Sequence, residues 1–568
     1  MRAGLFFDLR MWHPSATAIG RIGRSWGEIM KTWLLRTSAL IAVALLGACG
    51  GGGGGVFFPI VGLPVPGSGS GATTVTLTGN ATFDSVPNTT GGLNYGAIAA
   101  KPVRGAVVEI LDANAAVLAS TATDGSGAYS VSVPANTTVS VRVKAQMLQG
   151  GSAASWDVSV RDNTQGDALY SMDSGSFSTG SAALTRNVHA PSGWNGSSYA
   201  SARVAGPFAV LDAVYATQAK VLSVAPSTAF PPLRVFWSVN NVPASGNTAL
   251  GQIGTTFFTN STAAGATRAI YVLGKENVDT DEYDSSVVAH EWGHYYQSAF
   301  SRDDSPGGGH SLTDLLDRRV AFSEGWGNAW SGIALARSNY TDSVGASQAV
   351  GSNLDLSAGA ASPAGWYREA SIQSILWNLN SQVGFKPIHD ALTGASFKSG
   401  VAVTSIHPFS VAFNAAAPGS ASALNTLLSG QSIAVPNDPF AGNETNNGGV
   451  AVALPMYTSV AVGGGATQAC VTNQADAGGA GNKLGSYAYL RFTAPAQRNY
   501  AIALSVTGGT PGTDPDFVVY QGRRVGQGLS IVAGSESGSV SLSQGEAVIV
   551  VNDFKNVSTN TCFNVTIN

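Results

Sequence analysis

Charged residues and cysteines are both scarce in this chain. Only 11% of its 568 residues are Asp, Glu, Lys or Arg, and the formal net charge is −4. The sequence has no basic run of the kind that neutralises phosphates, so nucleic acid is not expected as a partner. Glycine is abundant by contrast, with 70 residues, and Ser and Thr are frequent. This composition favours an extracellular protein over a cytosolic one.

The sequence also lacks an apolar run of membrane-spanning length. Residues 1–29 are interpreted as an upstream over-extension, and residues 30–48 as a lipoprotein signal peptide with a basic start and a short apolar core. Leu46-Gly-Ala-Cys49 resembles a bacterial lipobox, which implies cleavage before Cys49 and a lipid on its thiol. Residues 49–72 then form a lipidated, Gly/Pro-rich tether. The resemblance implies the cell envelope of a Gram-negative bacterium, as an outer-membrane or cell-surface lipoprotein.

The three cysteines fit this location. With Cys49 assigned to the lipid, Cys470 and Cys562 remain as an even pair in a chain bound for an oxidising compartment. We predict a disulfide between them that joins the first and last strands of the final domain.

The most informative motif is His290-Glu-Trp-Gly-His294. On a helix, positions four apart share one face, so the two imidazoles can be directed at one ion, with Glu291 beside them. A catalytic zinc site holds the metal by three protein ligands and keeps a position for water, whose pKa the metal lowers. Glu291 is the predicted base for that water, and Asp284, Ser285 or Ser286 is the predicted cap of the helix.

Glu324 is the predicted third metal ligand. The metzincin pattern needs a Gly and a His soon after the second motif histidine, but Gln297 and Phe300 stand at those positions. Glu324 instead opens Glu324-Gly-Trp-Gly-Asn328, within a run, 312–336, that is predicted to be a second helix. Ser311, just before that run, and Asp314, near its start, have the spacing of a capping box.

The motifs HEWGH and SEGWGNAW resemble those of the gluzincin metallopeptidases of thermolysin and especially fungalysin type. The resemblance implies that His290, His294 and Glu324 bind zinc and that Glu291 is the general base. Those families have an Asp where this chain has Asn328. The Asp is expected to orient a ligand imidazole through its ring N–H, and an Asn carbonyl can accept the same bond without the charge.

Four residues are candidates for stabilising the oxyanion of the transition state. His310 lies in a Gly-rich loop between the two motifs, where it is a competing third ligand, an oxyanion donor or simply a solvated side chain. Thermolysin-like enzymes use a Tyr and a His downstream of the zinc helices, which adds Tyr367, Arg368 and His389. No motif chooses among them.

An acidic run precedes the first motif helix. It contains Asp279, Asp281, Glu282 and Asp284. Such a run is usually a solvated loop with a capping role, but its dense oxygen ligands also allow a Ca²⁺ site.

The predicted fold class is multidomain: a β-sandwich, a mainly α (α+β) zinc metallopeptidase domain and a second β-sandwich. The first sandwich, residues 73–185, resembles transthyretin-type, carboxypeptidase-regulatory-like modules in its segment 102–133. The metallopeptidase domain covers 186–440 and a linker covers 441–454. Residues 455–568 resemble the pre-peptidase C-terminal domain around Asp514-Pro-Asp-Phe-Val-Val-Tyr520.

Local patterns place several elements within these regions. Residues 124–127 signal a β-hairpin turn, and Val139, Val141 and Val143 alternate with polar residues as in a strand. An amphipathic helix is predicted to begin near Phe208, a strand at 269–273 is predicted to run along the active-site cleft, and a core helix is predicted at 369–379.

The sequence therefore predicts a secreted, lipid-anchored zinc metalloendopeptidase that hydrolyses peptide bonds in proteins or peptides. Its expected partners are that substrate and the membrane that holds the anchor. The alternative is a catalytically inactive surface binding or adhesion lipoprotein that keeps a zinc-protease fold. Asn328 and the two sandwiches are the features that favour the alternative.

Overall fold

Short and long strands fill the N-terminal part of the computed structural model, which describes residues 73–261, 267–473, 481–555 and 560–568. The predicted signal peptide, Cys49 and the tether lie outside these residues. The N-terminal strands are β1 (Thr74–Ser85), β2 (Ala99–Pro102), β3 (Ala106–Asp112), β4 (Val117–Ala122), β5 (Ala128–Pro134), β6 (Thr138–Gln149), β7 (Trp156–Asp162), β8 (Ala168–Leu169), β9 (Ser171–Asp173), β10 (Phe177–Ser178), β11 (Leu184–Thr185) and β12 (Val188–Ala190).

The middle of the chain carries the helices. Its elements are α1 (Gly206–Leu222), β13 (Leu233–Trp237), β14 (Phe257–Thr259), β15 (Arg268–Val272), β16 (Gly274–Lys275), β17 (Asp279–Thr280), α2 (Ser285–Phe300), α3 (Arg318–Leu335), β18 (Asn339–Val344), β19 (Val350–Asp355), α4 (Glu369–Val383), α5 (Phe385–Thr393), α6 (Ala395–Lys398), α7 (Ile406–Ala416) and α8 (Ala421–Gly430). Within the described residues, none of these helices combines the length and apolar character needed to cross a membrane.

The C-terminal part returns to strands. They are β20 (Thr458–Ser459), β21 (Thr467–Val471), β22 (Tyr487–Ala494), β23 (Arg498–Gly508), β24 (Pro515–Tyr520), β25 (Arg524–Gly528), β26 (Ser535–Leu542), β27 (Gly545–Asp553) and β28 (Thr561–Ile567). The protein thus combines several β-sheets with a helical region, in agreement with the multidomain expectation.

Two sheets pack against each other at the N-terminus. In one, β1 pairs with β2, β5, β11 and β12; the other runs β14-β15-β13-β7-β6-β3-β4. The alternation predicted for β6 is confirmed, because Val139, Val141 and Val143 are buried and the residues between them are partly exposed. The predicted hairpin at 124–127 is wrong: the turn forms, but it carries the chain from β4 in one sheet to β5 in the other.

This second sheet continues beyond the predicted boundary at 185/186. Strand β7 pairs in parallel with β13, and β13 pairs in parallel with β15. Parallel neighbours need a long crossover, and α1 lies within the connection from β7 to β13. One hydrophobic cluster joins Val141 of β6, Leu211 of α1 and Trp292 of α2. Residues 73–185 therefore share a core with the helical region and do not form one of their own.

Helix α3 begins later than the sequence pattern predicts. It starts at Arg318 instead of residue 312, and its cap is Asp317, whose carboxylate accepts the Arg319 N–H at 3.1 Å. The predicted capping box at Ser311 and Asp314 is not formed. The reason is long-range: residues 315–317 make backbone hydrogen bonds to 482–484, which hold this segment in an extended conformation.

The other two helix predictions are confirmed. Helix α1 begins at Gly206, and its residues Phe208 and Leu211 are buried. Helix α4 begins at Glu369 and extends to Val383, beyond the predicted end at residue 379, with its apolar positions inside the core.

The C-terminal strands form two sheets around a separate core. Their orders are β20-β22-β27-β24-β25 and β21-β28-β23-β26. The disulfide between Cys470 and Cys562 is confirmed and joins directly opposed positions of β21 and β28. One end of the disulfide lies on the last strand, β28, as predicted. The other end lies on β21, which is the second described strand of this region because the short strand β20 comes before it.

The predicted linker 441–454 is packed against the helical region. Glu444 is buried and its Oε2 lies 3.1 Å from His407 Nε2. Asn446 Oδ1 accepts the hydroxyl of Tyr367 at 3.0 Å. This segment is therefore held by specific contacts and contributes Val450 to the shared core.

Candidate metal centre

Two buried helices bring the three predicted ligands together. His290 and His294, one turn apart on α2, place their Nε2 atoms 3.1 Å from each other. Glu324 on α3 places Oε2 3.3 Å from His290 Nε2 and 3.4 Å from His294 Nε2. The three residues are at most 5% exposed. Imidazole and carboxylate donors this close stabilise one another only when a proton or a cation lies among them.

Glycines let α2 and α3 approach closely enough for this convergence. A β-carbon placed on Gly293 of α2 would lie 3.2 Å from the Gly327 Cα of α3. One placed on Gly327 would lie 2.7 Å from the ring of His290. The site is therefore built around a helix crossing that is tight at Gly293 and has no room for a side chain at Gly327 unless His290 moves.

The other ring nitrogen of His290 is also occupied. His290 Nδ1 lies 2.9 Å from Asn328 Oδ1. Because an amide oxygen only accepts, His290 donates its Nδ1–H there and leaves the Nε2 lone pair directed at the centre. The ring of Tyr340 packs edge-on against His290 with centroids 6.1 Å apart, a contact that no sequence pattern indicated.

His294 is oriented by residues that sequence reasoning missed. Its Nδ1 lies 3.2 Å from Ser323 Oγ and 3.3 Å from Gln297 Oε1. The Ser323 hydroxyl in turn donates to Asp303 Oδ2 at 3.1 Å. Gln297 follows His294 by three positions and Ser323 immediately precedes Glu324, so helical spacing around the motif residues was the available signal.

The electrostatics of the centre favour positive charge. Burial alone would lower the pKa of His294, but the Glu324 carboxylate raises it to about 9. Burial would raise the pKa of Glu324, yet His310 and His294 hold it well below its usual range. Two imidazoles and one ionised carboxylate form a donor set that suits zinc, and a cation can replace the protons they otherwise share.

Glu291 is held beside this centre by a strand edge. It is 1% exposed, and its Oε2 accepts the backbone N–H of Phe258 at 2.8 Å. Phe258 belongs to β14, which pairs only with β15 among the described strands. The strand predicted to line the active-site cleft, residues 269–273, corresponds to β15, which is the neighbour of β14 in the sheet. The strand that contacts Glu291 is β14.

His310 is brought to the centre, and the expectation of a solvated side chain is wrong. It is 3% exposed, and its Nε2 lies 3.3 Å from Glu324 Oε2. Its Nδ1 lies 2.7 Å from Glu369 Oε2 at the start of α4. Glu369, which the sequence pattern assigned only to a core helix, therefore orients a histidine of the site.

The other three oxyanion candidates have partners elsewhere. Tyr367 donates its hydroxyl to Ala364 O and Asn446 Oδ1, and Arg368 donates to Pro363 O and Leu312 O. His389 Nδ1 lies 2.8 Å from the hydroxyl of Tyr296. In the hydrogen bonds and ion pairs given above for the four candidates, only His310 contacts a predicted metal ligand.

The four residues of the acidic run have three different sets of contacts. Asp279 and Asp281 gather with Asp342 of β18, with carboxylate oxygens within 4.8 Å of one another. Burial and the neighbouring Asp342 raise the pKa of Asp279 to about 8, and burial raises that of Asp342 to about 7. Glu282 instead pairs with Arg203 at 2.8 Å.

The last member of the acidic run has another role. Asp284 precedes α2, but its carboxylate accepts from Asn88 and Ser343 and does not cap the helix. The residues present at the calcium candidate are therefore Asp279, Asp281 and Asp342.

Comparison with known proteins found structural neighbours but no sequence relative. No family model and no curated protein sequence matches the chain. The precursor of protealysin, a metalloproteinase from Serratia proteamaculans, is similar at 7% identity over 50% of this chain and 90% of its own, with a TM-score of 0.31. The pre-peptidase C-terminal domain of a Bacillus anthracis collagenase is similar at 9% identity over 20% of this chain and 94% of its own, with a TM-score of 0.15.

A third neighbour is a periplasmic inhibitor of g-type lysozyme, PliG from Aeromonas hydrophila. It is similar at 15% identity over 20% of this chain and 97% of its own, with a TM-score of 0.14. Because all three TM-scores are low, the functional argument rests on the contacts of the site.

Proposed function

We propose that this protein is a zinc-dependent metallopeptidase that hydrolyses internal peptide bonds of proteins or peptides. The observation that carries the proposal is the convergence of His290 Nε2, His294 Nε2 and Glu324 Oε2 within 3.1 to 3.4 Å in the protein interior. Three ligands leave a fourth position for water or substrate, which is the coordination of catalytic zinc sites. The Nδ1 atoms of His290 and His294 lie within hydrogen-bond distance of Asn328 and Ser323, respectively, as expected of oriented ligands.

Zinc bound to these residues would supply Lewis acidity and lower the pKa of the attacking water. Glu291 is the group that takes the proton from that water and returns it to the leaving amine. The Phe258 N–H holds one oxygen of the Glu291 carboxylate, which leaves the other for proton transfer. The proton carrier is thereby fixed relative to the histidines that precede and follow it on α2.

We assign the oxyanion donor to His310. Its Nδ1 faces the carboxylate of Glu369, which favours an N–H at that position and stabilises positive charge on the ring. Its Nε2 faces Glu324 and the centre. His310→Ala should therefore retain zinc, while kcat should fall by about 10² to 10³ and stay measurable. Loss of zinc from this variant would instead make His310 a ligand.

The edge strand β14 is the proposed binding surface for the peptide backbone. Its pairing with β15 leaves the other side of the strand without a partner among the described strands. Phe258 on this strand contacts Glu291, so a peptide lying along β14 would pass beside the base. An extended substrate can add to such an edge through main-chain hydrogen bonds, which bind a peptide with little dependence on its sequence.

The experiment that tests the enzyme assignment compares Glu291→Gln with the wild type on casein at matched zinc occupancy. Gln keeps the size of Glu but cannot accept the proton, so activity should fall by about 10² to 10⁴ while zinc and fold remain. Zinc content should be about one per chain. Bound zinc without cleavage by the wild type would favour an inactive binding lipoprotein. The bond from Asn328 to His290 weakens that alternative, because the amide keeps the orientation that an Asp would supply.

We also propose that the protein is anchored in the outer membrane or at the cell surface by a lipid on Cys49. The lipobox-like sequence that ends at Cys49 supports this proposal. Cys49→Ser should release the protein from membranes, and wild-type protein should incorporate a palmitate analogue. A wild-type protein that takes up no label would contradict the anchor.

A further inference from the structure

The loop that carries His310 is attached to the C-terminal sandwich. Asn482 Nδ2 donates to the carbonyls of Gly307 and Gly309 at 2.9 and 3.3 Å. Lys483 Nζ donates to the same Gly309 carbonyl at 2.7 Å and to Asn482 Oδ1 at 2.8 Å. Asn482 is completely buried and Lys483 is 7% exposed. Two side chains just before β22 thus bind the backbone immediately preceding His310.

Glycine-rich backbone needs such external support. Gly307 and Gly308 adopt positive φ angles of 66° and 101°, which glycine reaches at little steric cost. The same freedom makes the loop expensive in entropy to order, since it offers few side chains to pack. The buried amide and ammonium groups of the sandwich provide hydrogen bonds that the loop itself cannot make.

The same segment of the sandwich also holds the start of α3. The Asp317 N–H donates to Asn482 O, and the Leu484 N–H donates to Leu315 O, both at 2.8 Å. Tyr489 of β22 donates its hydroxyl to Asp317 Oδ2 at 2.5 Å. Because Asp317 caps the helix that carries Glu324, this segment fixes both His310 and the third ligand.

We propose that the C-terminal sandwich is a structural part of the metal centre and that Asn482 and Lys483 are positioning residues for His310. This inference rests on the proposed function of His310, but the attachment of the loop can be measured independently of activity. It predicts that the sandwich is required for full turnover in the mature enzyme. If the sandwich were only a spacer or a separate binding module, altering the contacts of Asn482 and Lys483 would leave turnover unchanged.

The test is a double-mutant cycle on zinc-loaded full-length protein with a peptide substrate. Asn482→Ala should lower kcat by about 10- to 100-fold with KM changed little, because a displacement of about 1 Å of a group at the reacting centre can cost 10² in rate. The same change in a His310→Ala background should have no further effect on kcat, since the residue acts through His310. Asn499→Ala, an exposed position on β23 of the same sandwich, is the matched control.

Hydrogen exchange tests the attachment of the His310 loop without requiring enzyme activity. Asn482→Ala should speed hydrogen exchange of the amides of residues 307–310 and leave α2 protected. Lys483→Met, which keeps the stem and removes the ammonium, should do the same if Asn482→Ala fails to fold. The proposal would be overturned if Asn482→Ala lowered kcat by the same factor in the wild-type and His310→Ala backgrounds. Unchanged hydrogen exchange of the loop in Asn482→Ala would also overturn it. An inactive wild type with the predicted exchange would reject the peptidase assignment and keep the attachment.

Discussion

Replacing Gly327 with Ala provides a stringent test of the metal centre. Gly327 lies in the interior of α3, where Ala is ordinarily preferred over Gly by up to about 1 kcal/mol. Without a tertiary constraint, Gly327→Ala would therefore stabilise the protein. The structure predicts the opposite, because the added β-carbon would lie 2.7, 2.8 and 2.9 Å from His290 Cε1, Nδ1 and Nε2.

The size of the effect follows from that overlap. The closest approach is roughly 0.7 Å short of an ordinary contact of 3.4 Å, and the obstructing atoms belong to a ring held by Asn328. The ring must rotate away from its ligand position or the two helices must separate. Overpacking of this kind costs about 1 to 3 kcal/mol of stability. Disturbing the orientation of a ligand histidine typically costs about 10- to 100-fold in metal affinity, or about 1.4 to 2.7 kcal/mol.

The assay is competition for zinc against a chelator of known affinity, combined with urea unfolding with and without zinc. Gly430→Ala is the matched control, because a β-carbon at the end of α8 meets nothing within 4 Å. The control should bind zinc as the wild type does. If Gly327→Ala binds zinc within twofold of the wild type and is equally or more stable, the crossing of α2 and α3 does not constrain His290 as described.

Further predictions concern stability. Without a divalent cation, the pKa values of Asp279 (about 8) and Asp342 (about 7) are raised in the folded protein, so the folded state binds more protons than the unfolded state. The free energy of unfolding should therefore fall as the pH rises from about 4 to about 8. Asp281→Asn should flatten this dependence in urea unfolding, and millimolar Ca²⁺ should counter the loss in the wild type; Ca²⁺ without effect would argue against a calcium site. Replacing Cys470 and Cys562 with Ser removes a cross-link between residues 92 apart and should cost up to about 4.6 kcal/mol by the chain-entropy model. A change below about 1 kcal/mol in calorimetry of the sandwich would show that the cross-link adds little.

Spacing along the chain was enough to bring part of the site together. His290 and His294 are one helical turn apart, so any α-helix at α2 places them on the same face, and no distant contact is needed for that. The alternation of Val139, Val141 and Val143 likewise selects one face of β6 for burial. The pairing of Cys470 with Cys562 was predicted by counting the cysteines of the chain and assigning Cys49 to a lipid anchor. The first two features depend on the sequence of one segment, and the third depends on setting Cys49 aside, which leaves a single possible pair.

Tertiary structure decided the features whose partners come from distant segments. The sequence left a solvated side chain open as one alternative for His310, because its own neighbours are glycines. In the structure, Asn482 and Lys483 of the C-terminal sandwich bind the backbone of its loop. Helix α3 starts at Arg318 because backbone pairing with the same segment competes with the helix before it. Asp342 joined the acidic group for the same reason, since β18 pairs with β17. A sequence pattern describes what a segment favours on its own, whereas the energy that orders a Gly-rich loop or gathers carboxylates depends on which remote chain lies against it.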